Sequence, residues 1–90
     1  MGILLLQPMS HYVYILQSLK DKRYYIGETI DVAARLLFHN SGKQRSTRHR
    51  VPFIIVITEE FESRQAALIR EKQIKGWKGG NNFKKLISGM

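Results

Sequence analysis

Two short runs decide how the chain is read: Tyr12-Val13-Tyr14-Ile15-Leu16-Gln17 and, after the polar break Lys20-Asp21-Lys22, Arg23-Tyr24-Tyr25-Ile26-Gly27. The first is aromatic and β-branched on both of its alternating faces, as in a strand covered from two sides and therefore central in its sheet. The second is shorter and returns as its hairpin partner. Working outward, Asp31 is suited to N-cap a helix running to about Asn40, with Gly42 as its stop. Pro52 opens a third strand, Phe53-Ile54-Ile55-Val56-Ile57-Thr58, apolar throughout and so expected to be buried. Ser63 caps a second helix predicted through Lys75, closed by Gly76 or the Gly79-Gly80 pair, and Asn82 to Ile87 is expected as a last short helix. The order ββαβαα is an α/β arrangement, a small three-stranded antiparallel sheet flanked by helices. Residues 1–9 are expected to be a loosely held N-terminal extension and residues 10–90 a single domain.

Ninety residues, 43% apolar and 24% charged, make one small globular domain. The absence of Cys rules out a disulfide framework, a thiolate zinc site and a Cys nucleophile. No apolar run approaches the ~18 residues of a membrane span. The patch Ile3 to Leu6 has no basic residue before it, unlike a signal peptide. A cytoplasmic, reducing setting with no membrane partner is expected.

The net charge of +8 and a pI near 10.1 point to a polyanionic partner, DNA first, with RNA left open. Val32 to Thr58 holds five bases and no acid, and Ser63 to the end holds seven bases and a single acid, Glu71. Between them lies an expected acidic turn, Glu59, Glu60 and Glu62. In Lys43 to Arg50, Arg outnumbers Lys three to one and alternates with hydroxyl residues, which suits phosphate contact better than bare solubility. Lys43, Arg45, Arg48, Arg50, Lys72, Lys75 and Lys78 are the candidate nucleic-acid contacts.

Nucleotide-cradle and zincin motifs are absent, and three His without Cys make a closed zinc site a poor fit. What remains for chemistry is Tyr, Arg, His and one or two carboxylates. Tyr14 sits mid-strand and Tyr25 lies eleven residues later on the next strand. Arg35 and His39, four apart, share one helix face. Glu71 has Ala67, Leu68 and Ile74 as helix neighbours and so lies at the edge of an apolar stripe. Taken singly these have ordinary readings: a core Tyr with its hydroxyl at the rim, a solvated helix face, and an i,i+4 pair of Glu71 with Lys75. Taken together they suit phosphate chemistry, where positioning and charge neutralisation do most of the work.

On these residues the chain resembles the GIY-YIG nuclease superfamily. Val13-Tyr14-Ile15 stands where the first tripeptide belongs, with Val13 in place of its Gly, and Tyr25-Ile26-Gly27 matches the second. Arg35, His39 and Glu71 follow in order. His39-Asn40-Ser41-Gly42-Lys43, Arg70-Glu71-Lys72 and Trp77-Lys78 resemble the small single-domain, excision-repair-nuclease-like branch. The resemblance implies a GIY-YIG-type fold and a divalent-metal-dependent endonuclease, structure-selective on DNA and connected with DNA repair. It implies one Mg²⁺ or Mn²⁺ on Glu71, and Arg35 on the transition-state phosphate. The water would be activated by a Tyr, Tyr14 before Tyr25, with its pKa lowered by Arg35 or Lys43, and His39 would relay the proton. Some relatives place an Asn after the second helix, for which Asn81 and Asn82 are the two candidates. Well-understood relatives couple this module to a separate DNA-binding domain that this chain does not show, so a partner protein is one expected source of specificity. The alternative is a non-catalytic or partner-dependent nucleic-acid-binding module on the same fold. Against it, a lone carboxylate facing phosphates would be repulsive at a pure binding surface.

Overall fold

The structure, a computed structural model, describes residues 9–89; the extension expected over 1–9 therefore lies, for 1–8, outside the described residues. The chain runs β1 (His11–Ser18), β2 (Tyr24–Thr29), α1 (Val32–Asn40), a single 3-10 turn at Arg48–Arg50, β3 (Phe53–Phe61), α2 (Arg64–Trp77) and α3 (Asn81–Ser88). The sheet order is β2-β1-β3 with antiparallel pairing on both sides of β1, as the two-sided apolar pattern of β1 predicts.

The helix starts follow their caps. The Asp31 carboxylate accepts from the Ala34 amide at 3.0 Å, and the Ser63 hydroxyl from the Ala66 amide at 3.1 Å. α2 continues through Gly76 to Trp77, so of the two expected stops the Gly79-Gly80 pair is the one used: the chain turns at Gly79, whose φ of +89° is cheap only for glycine.

Register assigns the two faces of the sheet. Tyr14 pairs with Gly27 and Leu16 with Tyr25, so these four share one face; Val13, Ile15, Ile26 and Glu28 share the other. α2 and α3 cover the second face, where Val13, Ile15, Ile26, Ala67, Ile74 and Phe83 form the larger core cluster. α1 covers the first, where Tyr14, Leu16 and Phe53 pack with Tyr25, Val32, Leu36 and Val51. A bulge at Ile15/Leu16 places two pairs on β3 three residues apart, Tyr14 with Thr58 and Leu16 with Ile55, so both partners still point to the α1 side.

The third strand departs from expectation. β3 is an edge strand rather than a buried one: Ile54 is 41% and Ile55 38% exposed. It also extends to Phe61, taking in Glu59 and Glu60, which the charge pattern suggested as a turn. A continuous apolar run shows that a strand can be covered on two faces, and only the tertiary arrangement shows whether it is.

Candidate active site

The site grows from the pairing of Tyr14 with Gly27. A Cβ on residue 27 would fall 2.5 Å from Tyr14 Oη and 2.6 Å from Cζ, so the bare glycine backbone gives the phenol a path across β2 toward the edge of the sheet. Tyr25, on the same face, stacks on Tyr14 with ring centroids 6.3 Å apart and planes at 28°. The His39 ring, wholly buried, lies 4.6 Å from the Tyr25 ring and 6.4 Å from that of Tyr14. Its Nδ1 is 3.2 Å from Thr47 Oγ1, while Nε2 is buried without a partner. Where Nδ1 carries the proton, it donates to the Thr47 hydroxyl and Nε2 is a free acceptor.

Arg35 is exposed one turn before His39. Burial, aided by the Arg35 guanidinium, holds the His39 pKa below its ordinary value, so the ring is neutral near pH 7. Glu71 comes from α2, on the other side of the sheet. Its side chain is 16% exposed and its Oε2 lies 3.2 Å from Lys75 Nζ, the i,i+4 pair anticipated from the spacing. Both Arg35 and Glu71 nevertheless act on the Tyr14 hydroxyl, Arg35 easing its ionisation and Glu71 opposing it.

The Tyr14 pKa is pushed up to about 12. Burial is the main cause, followed by Tyr25, with Glu71 and Glu28 adding to it and Arg35 working against them. The expectation that neighbouring cations lower it is corrected for this Tyr. The ring is only 2% exposed, and desolvating a phenolate outweighs one exposed guanidinium screened by water.

The candidate phosphate contacts separate into groups. Lys43, Arg45 and Arg48 are exposed on the loop after α1. Arg50 is committed elsewhere: its Nε is 3.1 Å from Asp21 Oδ2 and its guanidinium lies 5.4 Å from the Phe53 ring centroid. Lys72 is exposed on α2, and Lys75 is held by Glu71. Lys78 stands apart, donating from Nζ to the Tyr24 carbonyl at 2.7 Å. Asn81 and Asn82 are exposed in the first turn of α3.

Four residues have roles here that the sequence did not assign, although Gly27 and Asn40 stood within the motif stretches. Gly27 makes room for Tyr14, and Thr47 is the only buried residue of the basic loop and holds His39. Asn40 donates to the Phe53 carbonyl at 3.1 Å and accepts from the Phe53 amide at 2.7 Å, joining the end of α1 to β3. Glu28, paired with His11 at 3.2 Å and Arg64 at 3.6 Å, is a second carboxylate felt at Tyr14. The sequence signals available were the glycine of the second tripeptide and a threonine set within a basic run.

The donor chemistry bears on a divalent cation. Among the described residues no cluster of three His, Asp or Glu could hold a metal by itself. The half-buried Glu71 carboxylate does fit a hard cation of the Mg²⁺ type, which takes one or two carboxylates and completes its shell with water and substrate phosphate.

Comparison with known proteins agrees with this layout. Residues 10–85 match the family described as GIY-YIG catalytic domain. A UPF0213 protein of Staphylococcus haemolyticus is 43% identical over 67 residues, 73% of this chain and 80% of the relative. One from Halalkalibacterium halodurans is 46% identical over 68 residues, 74% of this chain and 71% of the relative. The solution NMR structure of a UPF0213 protein from Bacillus halodurans superposes with a TM-score of 0.56 at 40% identity, covering 89% of this chain and 84% of that one. No helix among the described residues is long and apolar enough to cross a membrane. Strand order, the Tyr-over-Gly pairing and these matches agree: the chain belongs to the GIY-YIG nuclease superfamily, within its group of small single-domain UPF0213 proteins.

Proposed function

We propose that this protein is a divalent-metal-dependent endonuclease that hydrolyses phosphodiester bonds in DNA, selecting its target by nucleic-acid structure. The observation that carries the reading is the placement of one phenol: the bare Gly27 backbone leads Tyr14 across β2, and Tyr25 stacks on it at 6.3 Å. Tyr25, Arg35, Glu71 and Glu28 all act on the Tyr14 hydroxyl, and the neutral, half-satisfied His39 lies on the same sheet face. Nucleases of this superfamily generally use a divalent metal. Here Glu71 is the residue that would hold it, and the cation would polarise a phosphate oxygen and offset charge in the transition state.

The chain's own groups divide the remaining work. Arg35, exposed and always charged, neutralises the phosphate. Tyr14, its pKa near 12, enters the reaction protonated; its hydroxyl donates to a phosphate oxygen, or accepts the proton of the attacking water while passing its own on to His39. Tyr25 completes the pair of phenols that orients that water. His39, with Nε2 unpaired, is the acceptor available to a proton passed on by a Tyr hydroxyl. Lys43, Arg45 and Arg48 fix the backbone through phosphate contacts that carry no sequence information.

The test is cleavage of branched, flapped, nicked, single-stranded and plain duplex DNA with Mg²⁺ or Mn²⁺, against EDTA and Glu71→Gln. Metal-dependent cutting lost in the mutant, with DNA affinity equal or higher because a negative charge is gone, supports the reading. A Glu71→Gln protein that still cuts removes Glu71 from the metal. A second reading, a nucleic-acid-binding module without turnover, is favoured by the Lys75 ammonium already sitting on Glu71. Binding without cutting on every substrate would select it.

A further inference from the structure

A cleft of about 520 Å³ lies at the other end of the hairpin, between the β1–β2 turn, the end of α2, and α3. Its volume falls within the roughly 300–1,000 Å³ of ligand pockets. The floor is apolar: Tyr24 and Phe83 meet edge-to-face with centroids 5.1 Å apart, and Ile87 lies beside them. The rim is cationic, with Lys22, Arg23, Lys78 and Lys84 and no carboxylate among the lining residues. Asp21, next to Lys22 in the chain, accepts from Arg50 and from the Arg23 amide. Lys22 holds φ +65°, a conformation glycine or asparagine would adopt more easily, yet the turn there carries a cation. Lys78 is bound to the Tyr24 carbonyl, and burial together with the charges of Arg50, Arg23 and Lys75 lowers its pKa, so the cleft holds more positive charge than it neutralises.

We propose that this cleft binds an unpaired nucleotide of the DNA substrate, its base against Tyr24, Phe83 and Ile87 and its phosphates on Lys22, Arg23 and Lys84. The proposal rests on the nucleic-acid reading of the main site and deepens it by naming the structural feature recognised. An aromatic floor beside cations is the chemistry that holds an unstacked base, whereas a cationic surface alone holds duplex and single strand alike. Tyr24 is three residues from Gly27 along β2, roughly 10 Å at ~3.3 Å per residue. A strand passing the Tyr14 hydroxyl covers that distance in about three stacked nucleotides. Tyr24 packs on the α2/α3 face and Tyr14 on the α1 face, so the strand crosses the β2 edge to reach the cleft, and the base enters it at least about three nucleotides from the scissile phosphate.

The experiment measures binding without metal, and so without turnover. Fluorescence anisotropy compares a duplex bearing a three-nucleotide thymine flap with the same duplex bearing an abasic flap of equal charge. The proteins are the wild type, Lys22→Glu with Lys84→Glu, and, as a control of equal charge change, Arg45→Glu with Arg48→Glu. The wild type is expected to bind the base-bearing flap about ten-fold more tightly. The cleft variant should lose that preference, and the loop variant should keep it at lower overall affinity. Equal affinity of the wild type for both flaps overturns the proposal, as does a preference that survives in the cleft variant. Because no cleavage is read, a wild type that prefers the base-bearing flap but never cuts leaves the cleft standing and removes the nuclease reading. Metal-dependent cutting without that preference does the reverse.

Discussion

Replacing Gly27 with Ala adds one methyl group at the point where the Tyr14 ring crosses β2. On an ordinary strand the change is mildly favourable, by about 0.4–1 kcal/mol, because the unfolded chain loses freedom. Here the new Cβ would meet Oη at 2.5 Å, Cζ at 2.6 Å and Cε1 at 2.9 Å, so the end of the phenol must move. The ring has little room, being 2% exposed and packed between Tyr25 and the His39 side of the core. Overpacking of this kind costs about 1–3 kcal/mol and outweighs the entropic gain, leaving a net loss of about 1–2 kcal/mol. For a domain this size each kcal/mol is about 4–8 °C in Tm. Urea unfolding should show a lower midpoint at unchanged slope. Cleavage should fall further than stability does, by about 100-fold, because a displacement near 1 Å at a reacting group is enough for that. The decisive assay is a double-mutant cycle with Tyr14→Leu, which removes the ring and with it the clash. The two changes should couple by about 1 kcal/mol or more. Strictly additive costs would refute the account of Gly27 as the passage for Tyr14.

Three further outcomes are expected. Tyr14 should ionise only near pH 12 in an absorbance or NMR titration; because its folded pKa lies above the unfolded value, its contribution to stability is full below pH 10 and declines as the pH rises toward 12, and unfolding midpoints that do not fall over that window would contradict the shift. Thr47→Val should cost about 1–3 kcal/mol in urea unfolding by leaving the buried His39 Nδ1 unpaired, and an unchanged midpoint would mean that the contact at 3.2 Å holds nothing. Arg45→Ala with Arg48→Ala should reduce the salt slope of DNA binding by about two units, whereas Arg50→Ala should lower stability and leave the slope alone, since its guanidinium is engaged with Asp21; equal slope changes in both proteins would place Arg50 among the phosphate contacts.

Features that depend on neighbours along the chain were legible from composition and spacing. Asp31 and Ser63 cap their helices because an N-cap is a contact across three residues. β1 proved central because both its faces are apolar or aromatic over five residues, Tyr12 to Leu16. The Glu71–Lys75 pair followed from helical spacing alone. Arg50 is the counterexample. Its type and company suggested phosphate, and its partner Asp21, twenty-nine residues away, leaves it little freedom to meet one.

The same division holds for the site as a whole. Residue types, their order and the basic excess are properties of the sequence, and with the motif resemblance they were enough to specify the family, the sheet and the list of chemical groups. Register, face and burial belong to the tertiary structure. Whether Tyr14 and Tyr25 share a face depends on one residue of strand register, which flips every side chain if it slips. β3 lies at the edge because nothing pairs beyond it among the described residues. Tyr14 is harder to ionise because the packing that positions its ring also removes the water that would solvate its charge. A sequence lists the groups available for chemistry; the distances and dielectric that set their protonation arise only when distant segments close around them.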